Sequence, residues 1–405
     1  MRQNVVIGAA LVATLAFTLL SHTDQQASPS GAARHPAVAP GVNGRPVPPV
    51  DSVPPVDSVP PVDSVPPANP AVDPDSFFAP KKLAAGKRPP QFVVVSFDGV
   101  GSHDKWQYWQ SIAGQSGARF TGFLSGVYLL DGAHRDAYHG PGHKVGRNSL
   151  GYWFDAGEVR QLVGDLNLAW AKGFEVGTHY NGHFCAGDPP GANNWTTRDW
   201  NSELDQFFGF VRDYRRIDQL PGAPALDVPA KSIVGARTPC LEGKPAQLMP
   251  ALRAHGFTYD ASSTADGVAW PRQNSSGIWE MPLAYVPLAG TGSGVVSMDY
   301  NFWVKQTGNP PSTRDPVNDS NQVLRTYQAM YKATYDGNRA PLILGNHFND
   351  WNRRTYVDAL TTFVEETCGR PHTRCVTFSD LVAWLDAQRA SVLRHLQGMP
   401  AITRP

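Results

Sequence analysis

From Gln91 onward the chain alternates short, wholly apolar runs with stretches of helical period, and this alternation limits the fold more than any other feature. Segments 92–97 (FVVVSF), 119–130 (RFTGFLSGVYLL), 173–177, 232–236, 257–260, 278–286, 294–300 and 341–348 read as strands. Several lack polar alternation, as parallel strands covered on both faces do. Between them, Leu204, Phe207, Phe208 and Val211 form one apolar helical stripe. Val323, Tyr327, Met330, Tyr331 and Thr334 form a second, with Asp319, Ser320 or Asn321 placed to cap it, and Tyr356, Leu360, Phe363 and Val364 form a third. Strand and helix alternating over roughly 300 residues predict an α/β fold, and seven or eight strands predict a (β/α) barrel rather than an open sheet.

The first 90 residues have a different texture. Arg2 precedes an uncharged apolar run from Val5 to Leu20, so residues 1–21 read as a signal peptide or an N-terminal membrane anchor, and the protein as exported. Residues 22–90 are rich in Pro, Ala and Ser, with VPPVDS three times between Val47 and Ser64. Such a segment buries too little apolar surface to fold and acts as an extended spacer of about 3.1 Å per residue. A catalytic domain is expected over 91–395 and a tail over 396–405. Formal charge is zero, which gives no support to a nucleic-acid or anionic-membrane partner. The four cysteines suit an oxidising compartment. CGRPHTRC favours Cys368 with Cys375, leaving Cys185 for Cys240; four free buried thiols are the alternative.

In a parallel barrel the reactive residues gather at the carboxyl ends of the strands. Asp98, His179, Arg237 and His347 each follow an apolar run and converge on that rim. His179 and His183, four apart, can reach one ion from a helical turn, at about 2.0–2.1 Å for zinc. Tyr180 replaces the glutamate of H-E-x-x-H, which argues against a metalloprotease of that type. An aspartate after an apolar strand is costly to bury unless paired or bound to metal, and Arg237 offers a forked partner for it. A Cys185–Cys240 bridge would tie the loop after His183 to the loop after Arg237.

VVSFDG, GTHYNGH, RTPC and LGNH, in this order, resemble the polysaccharide deacetylase family, the NodB-homology carbohydrate esterases, nearest the chitin-deacetylase-like group. The resemblance runs from about Phe92 to Leu385. It implies a distorted (β/α) barrel of seven or eight parallel strands and a divalent metal, zinc first, with cobalt, nickel or manganese as alternatives. The implied substrate is an acetylated glycan, an N-acetylhexosamine polymer such as peptidoglycan or chitin. His179 and His183 would be the metal ligands, Asp98 the general base, Arg237 the group that orients it, and His347 the general acid that protonates the leaving amine.

The chain departs from the family at one telling place. The first motif of the family has two adjacent aspartates, base then ligand, whereas Asp98 here is followed by Gly99. Either Asp98 is the base and a ligand is missing, or Asp98 is the ligand and Phe97 occupies the base position; strand alternation favours the first. His103, Asp104, His134, His139 and His143 are substitute ligands to consider. Two readings follow: a metal-dependent deacetylase, or a catalytically weakened relative that binds glycan through the same groove. Trp106, Trp109, Trp153, Trp195, Trp200, Trp270, Trp303 and Trp351 are placed near the rim loops and suit sugar stacking.

Overall fold

β1 (Gln91–Asp98) is buried along its whole length, which is why it carries no polar alternation. The computed structural model describes residues 78–309 and 311–405, within a unit spanning Ala71–Pro405. The apolar run at 5–20 and the VPPVDS repeats lie outside the described residues.

The order of elements continues with α1 (His103–Ser116), β2 (Thr121–Leu124), α2 (Ala156–Ala171), β3 (Glu175–Thr178), α3 (Thr197–Ile217), β4 (Gly235–Ala236), α4 (Pro245–Ala254) and β5 (Tyr259–Asp260). β6 (Thr264–Asp266), β7 (Arg272–Gln273), β8 (Trp279–Glu280), β9 (Leu283–Pro287) and β10 (Gly294–Val296) then lead into α5 (Asp299–Thr307) and α6 (Pro316–Asp336). The chain ends with β11 (Leu342–His347), α7 (Trp351–Thr367), β12 (Thr373–Cys375), α8 (Phe378–Asp386) and α9 (Ala390–Gln397).

The main sheet runs β11-β1-β2-β3-β4-β5-β8-β7, with β12 also paired to β1. All of these pairings are parallel except β7 with β8. Helices cover this curled, half-barrel sheet, so the distorted barrel of parallel strands expected from the sequence is the fold. A smaller sheet, β10-β9-β6, joins it through a Met298–Gly345 bridge.

The middle strands are short because tertiary packing replaces ladder length. β4 is two residues long. A side chain at Gly235 would collide with the Tyr259 ring, and glycine there lets the Tyr259 hydroxyl reach Glu175 at 2.9 Å. The expected strand 119–130 ends at Leu124 and continues as a single 3-10 turn, Gly126–Leu129. The 278–286 run divides into β8 and β9. The cap of α6 is Asp315 rather than Asp319, Ser320 or Asn321: Pro316 supplies a preset first helical residue, and the Asp315 side chain accepts from the Asn318 N–H.

α3 begins at a Thr196–Asp199 capping box and buries Trp200, Leu204, Phe207 and Val211 on one face. Chain on either side of the 91–395 segment also packs on the domain. Phe78 meets Phe92 edge-on at 6.4 Å, and Ile402 pairs with Val268. Both disulfides are those expected, Cys185–Cys240 and Cys368–Cys375. Among the described residues no helix is long and apolar enough to cross a membrane.

Candidate active site

Asp98 is the last residue of β1 and His347 the last of β11, and the two are register partners. Thr178 and Ala236 are register partners too, so His179 and Arg237, the next residues, leave β3 and β4 side by side. Parallel pairing therefore brings all four residues to one edge of the sheet.

Asp98 is 3 % exposed and Arg237 fully buried. Arg237 Nη1 donates to Asp98 Oδ1 at 2.9 Å and to Ser96 Oγ at 2.8 Å, while its Nε donates to the Ala261 carbonyl at 3.0 Å. The guanidinium lies over the Phe123 ring, 4.7 Å from its centroid. Burial would raise the Asp98 pKa, but the Arg237 charge, followed by His179 and His347, holds it below the usual value. Asp98 is therefore a carboxylate at neutral pH. Phe97 points the other way, against Trp109, Phe120 and Phe348, as strand alternation requires.

His347 is held by a residue that the motif pattern did not single out. Asp299 opens α5, and the Met298–Gly345 bridge brings it beside β11. Its Oδ1 accepts from His347 Nδ1 at 2.7 Å and its Oδ2 from the His347 backbone N–H at 2.7 Å. Burial works against the imidazolium, yet Asp299, and Asp98 beyond it, raise the pKa above the ordinary histidine value. The other ring nitrogen, Nε2, lies 4.0 Å from Asp98 Oδ2. The sequence did carry a signal for Asp299: it closes the GVVSMD run as Asp98 closes FVVVSFD.

His179 and His183 do not sit on a helical turn. Residues 179–185 form a loop in which Tyr180 and His183 take φ of 59° and 57°, and this brings the two rings to 5.0 Å between centroids. Such backbone costs about 1–3 kcal/mol per residue and persists only when its surroundings fix it. Several do. Asn181 donates its N–H and Nδ2 to the buried Glu203 carboxylate at 3.1 Å, and Tyr138 donates to the same group at 2.7 Å. Cys185 is tied to Cys240. Glu203 was not visible from the sequence, where it reads as one more polar residue of α3; burial pushes its pKa up to about 7.

His179 donates Nδ1–H to the Arg237 carbonyl at 2.8 Å, which leaves Nε2 as its unprotonated nitrogen. Burial lowers the pKa of both histidines, that of His183 to about 3, with His179 adding to the effect. Two neutral imidazoles, one oriented by a carbonyl, are the donor chemistry of a divalent metal site. Gly99 follows Asp98 at φ +62°, a conformation that side chains rarely adopt, so that position supplies no carboxylate. The other oxygen of Asp98, Oδ2, faces His347 Nε2 at 4.0 Å.

The substitute ligands lie elsewhere. His103 pairs with Asp165 and His134 with Asp131, His143 stacks on Phe184 at 3.6 Å, and Asp104 and His139 are exposed. The tryptophans divide in the same way. Trp106, Trp109, Trp195, Trp200 and Trp270 are core residues, 5 % exposed or less. Trp351 lies 4.9 Å from the His347 ring, and Trp303 stacks on it at 5.0 Å, which puts a half-buried aromatic shelf beside His347.

No protein-family model and no curated protein matches the chain. Solved structures similar to it include CE4 polysaccharide deacetylases. A proposed polysaccharide deacetylase from Mycobacterium smegmatis is 14 % identical over 81 % of this chain and 99 % of its own, at a TM-score of 0.47. A family 4 carbohydrate esterase from Streptomyces lividans is 12 % identical over 73 % and 96 %, at 0.36. A peptidoglycan deacetylase from Bacillus subtilis is 12 % identical over 80 % and 98 %, at 0.37. All three likenesses are distant.

Proposed function

We propose that this rim hydrolyses the acetyl amide of N-acetylhexosamine units in an extracellular or cell-wall glycan. The observation that carries the reading is the facing pair: an imidazole held by Asp299, which raises its pKa, lies 4.0 Å from a carboxylate held by Arg237, next to two further imidazoles.

Asp98 takes a proton from water as its oxygen bonds to the acetyl carbon. His347 gives its Nε2 proton to the nitrogen as the carbon–nitrogen bond breaks, leaving acetate and a free amine. Arg237 keeps Asp98 ionised, and Asp299 keeps His347 protonated. His179 and His183 would hold a divalent metal, zinc or else cobalt, nickel or manganese, which would polarise the acetyl carbonyl and ease deprotonation of water. Trp351 and Trp303 offer a stacking surface for sugar rings. The disulfides suit an exported protein, and the N-terminal run supplies a signal or an anchor.

Gly99 favours a second reading, in which metal is held weakly and the groove binds glycan without turnover. Incubating the full chain with N-acetylglucosamine polymers and peptidoglycan, with and without zinc, separates the two. His183→Ala is expected to lose metal and turnover together; His347→Ala is expected to keep metal and glycan affinity and lose turnover. Undiminished acetate release by both variants overturns the residue roles, and glycan binding without acetate release by the zinc-loaded parent favours the second reading.

A further inference from the structure

Outside the rim, Asp131, His134 and Asp218 place one donor atom each within 4.8 Å of one another. Asp131 lies just past the 3-10 turn that follows β2, and Asp218 caps the end of α3, 87 residues away. Asp218 Oδ2 accepts the Asp131 N–H at 3.0 Å. Its Oδ1 is buried and has no hydrogen-bond partner, in a side chain with no exposed surface. That oxygen lies 4.0 Å from His134 Nδ1, beyond hydrogen-bonding range, and Nδ1 is already engaged with Asp131 Oδ1 at 2.8 Å.

A bare carboxylate oxygen, buried beside a second carboxylate, is costly unless a cation or a proton resolves it. We propose that Asp131, His134 and Asp218 form a divalent-cation site independent of the rim histidines. The ion bonds Asp218 Oδ1, an Asp131 oxygen and His134 Nδ1, and the Nδ1 proton passes to solvent. His134 is about a quarter exposed, at 26 %, which leaves a path for the ion and for water to complete its coordination. One imidazole with two carboxylates favours zinc or manganese over magnesium or calcium.

The site has structural reach. Asp131 bridges Phe154, so an ion there fastens both ends of the 131–154 loop to α3. That loop walls the histidine segment: Ser149 N–H donates to the Gly182 carbonyl at 2.7 Å, and His143 stacks on Phe184, next to His183.

The test uses the full chain with His179→Ala and His183→Ala, which removes the rim imidazoles, dialysed against Zn2+ or Mn2+. One equivalent of bound metal is expected, with the unfolding midpoint raised by roughly 5 °C when free metal is about 100 times its Kd. Adding Asp218→Asn, or separately His134→Gln, is expected to abolish both signals. Should Asp218→Asn fail to fold, His134→Gln decides. No metal retained by the folded double variant, or equal retention after Asp218→Asn or His134→Gln, overturns the proposal. Neither readout depends on turnover, so the site stands or falls separately from the deacetylase reading.

Discussion

Replacing Asp299 by Asn tests whether charge, and not only position, keeps His347 acidic. The carboxylate meets both Nδ1 and the backbone N–H of His347 at 2.7 Å, which sets charge centres about 4 Å apart. Two unit charges at about 4 Å, in an effective dielectric of about 20, interact by about 4 kcal/mol. The His347 side chain is 25 % exposed, and solvent screening cuts this to about 2 kcal/mol. Asn retains one of the two hydrogen bonds, so the ring stays placed. The His347 pKa is raised in the folded protein, so its acid form is lost as pH rises through that raised value. In Asp299→Asn the alkaline limb of the pH–rate profile for acetate release should therefore move to lower pH. NMR titration of the His347 ring should move equally, without reference to activity. An unmoved limb and an unmoved NMR titration, with activity merely lowered, would refute the electrostatic role.

Three further expectations follow. Arg237→Met leaves buried Asp98 without its hydrogen-bonded guanidinium partner, which should cost about 3–5 kcal/mol in denaturant unfolding and shift the acid limb of activity upward. The sign follows from Asp98: its pKa is lowered by Arg237, so its contribution is present above the unfolded value and lost as pH falls through the folded one. Glu203 has the opposite sign, raised from 4.5 to about 7, so the parent should lose stability relative to Glu203→Gln as pH climbs through that window, by about 3 kcal/mol at most. Matched unfolding curves at pH 4 and pH 8 check it, and parallel curves would contradict it. Removing the Cys185–Cys240 bridge, which spans 55 residues, should cost about 2–4 kcal/mol by the same method, and more activity than removal of Cys368–Cys375.

The parallel strands were legible because burial on both faces leaves an uninterrupted apolar run, and the polar residues gathered at the rim because each follows such a run. Asp98, His179, Arg237 and His347 are neighbours through register alone. The interval of four between His179 and His183 suggested a helical turn, whereas a loop with two left-handed residues brings the two rings together. Local pattern also missed groups whose partners are distant in sequence. Glu203 and Asp218 look like ordinary polar positions of a surface helix until β2 and its loop close over them. Five of the eight tryptophans proved to be core residues because an aromatic near a predicted rim loop is as well used in packing as in binding.

The most direct measurement is product stoichiometry: acetate and free amine from one purified N-acetylglucosamine oligomer, with the zinc-loaded full chain beside His347→Ala. Equal amounts of acetate and amine from the parent, and neither from the variant, are predicted. Bound oligomer recovered fully acetylated from both would contradict the account.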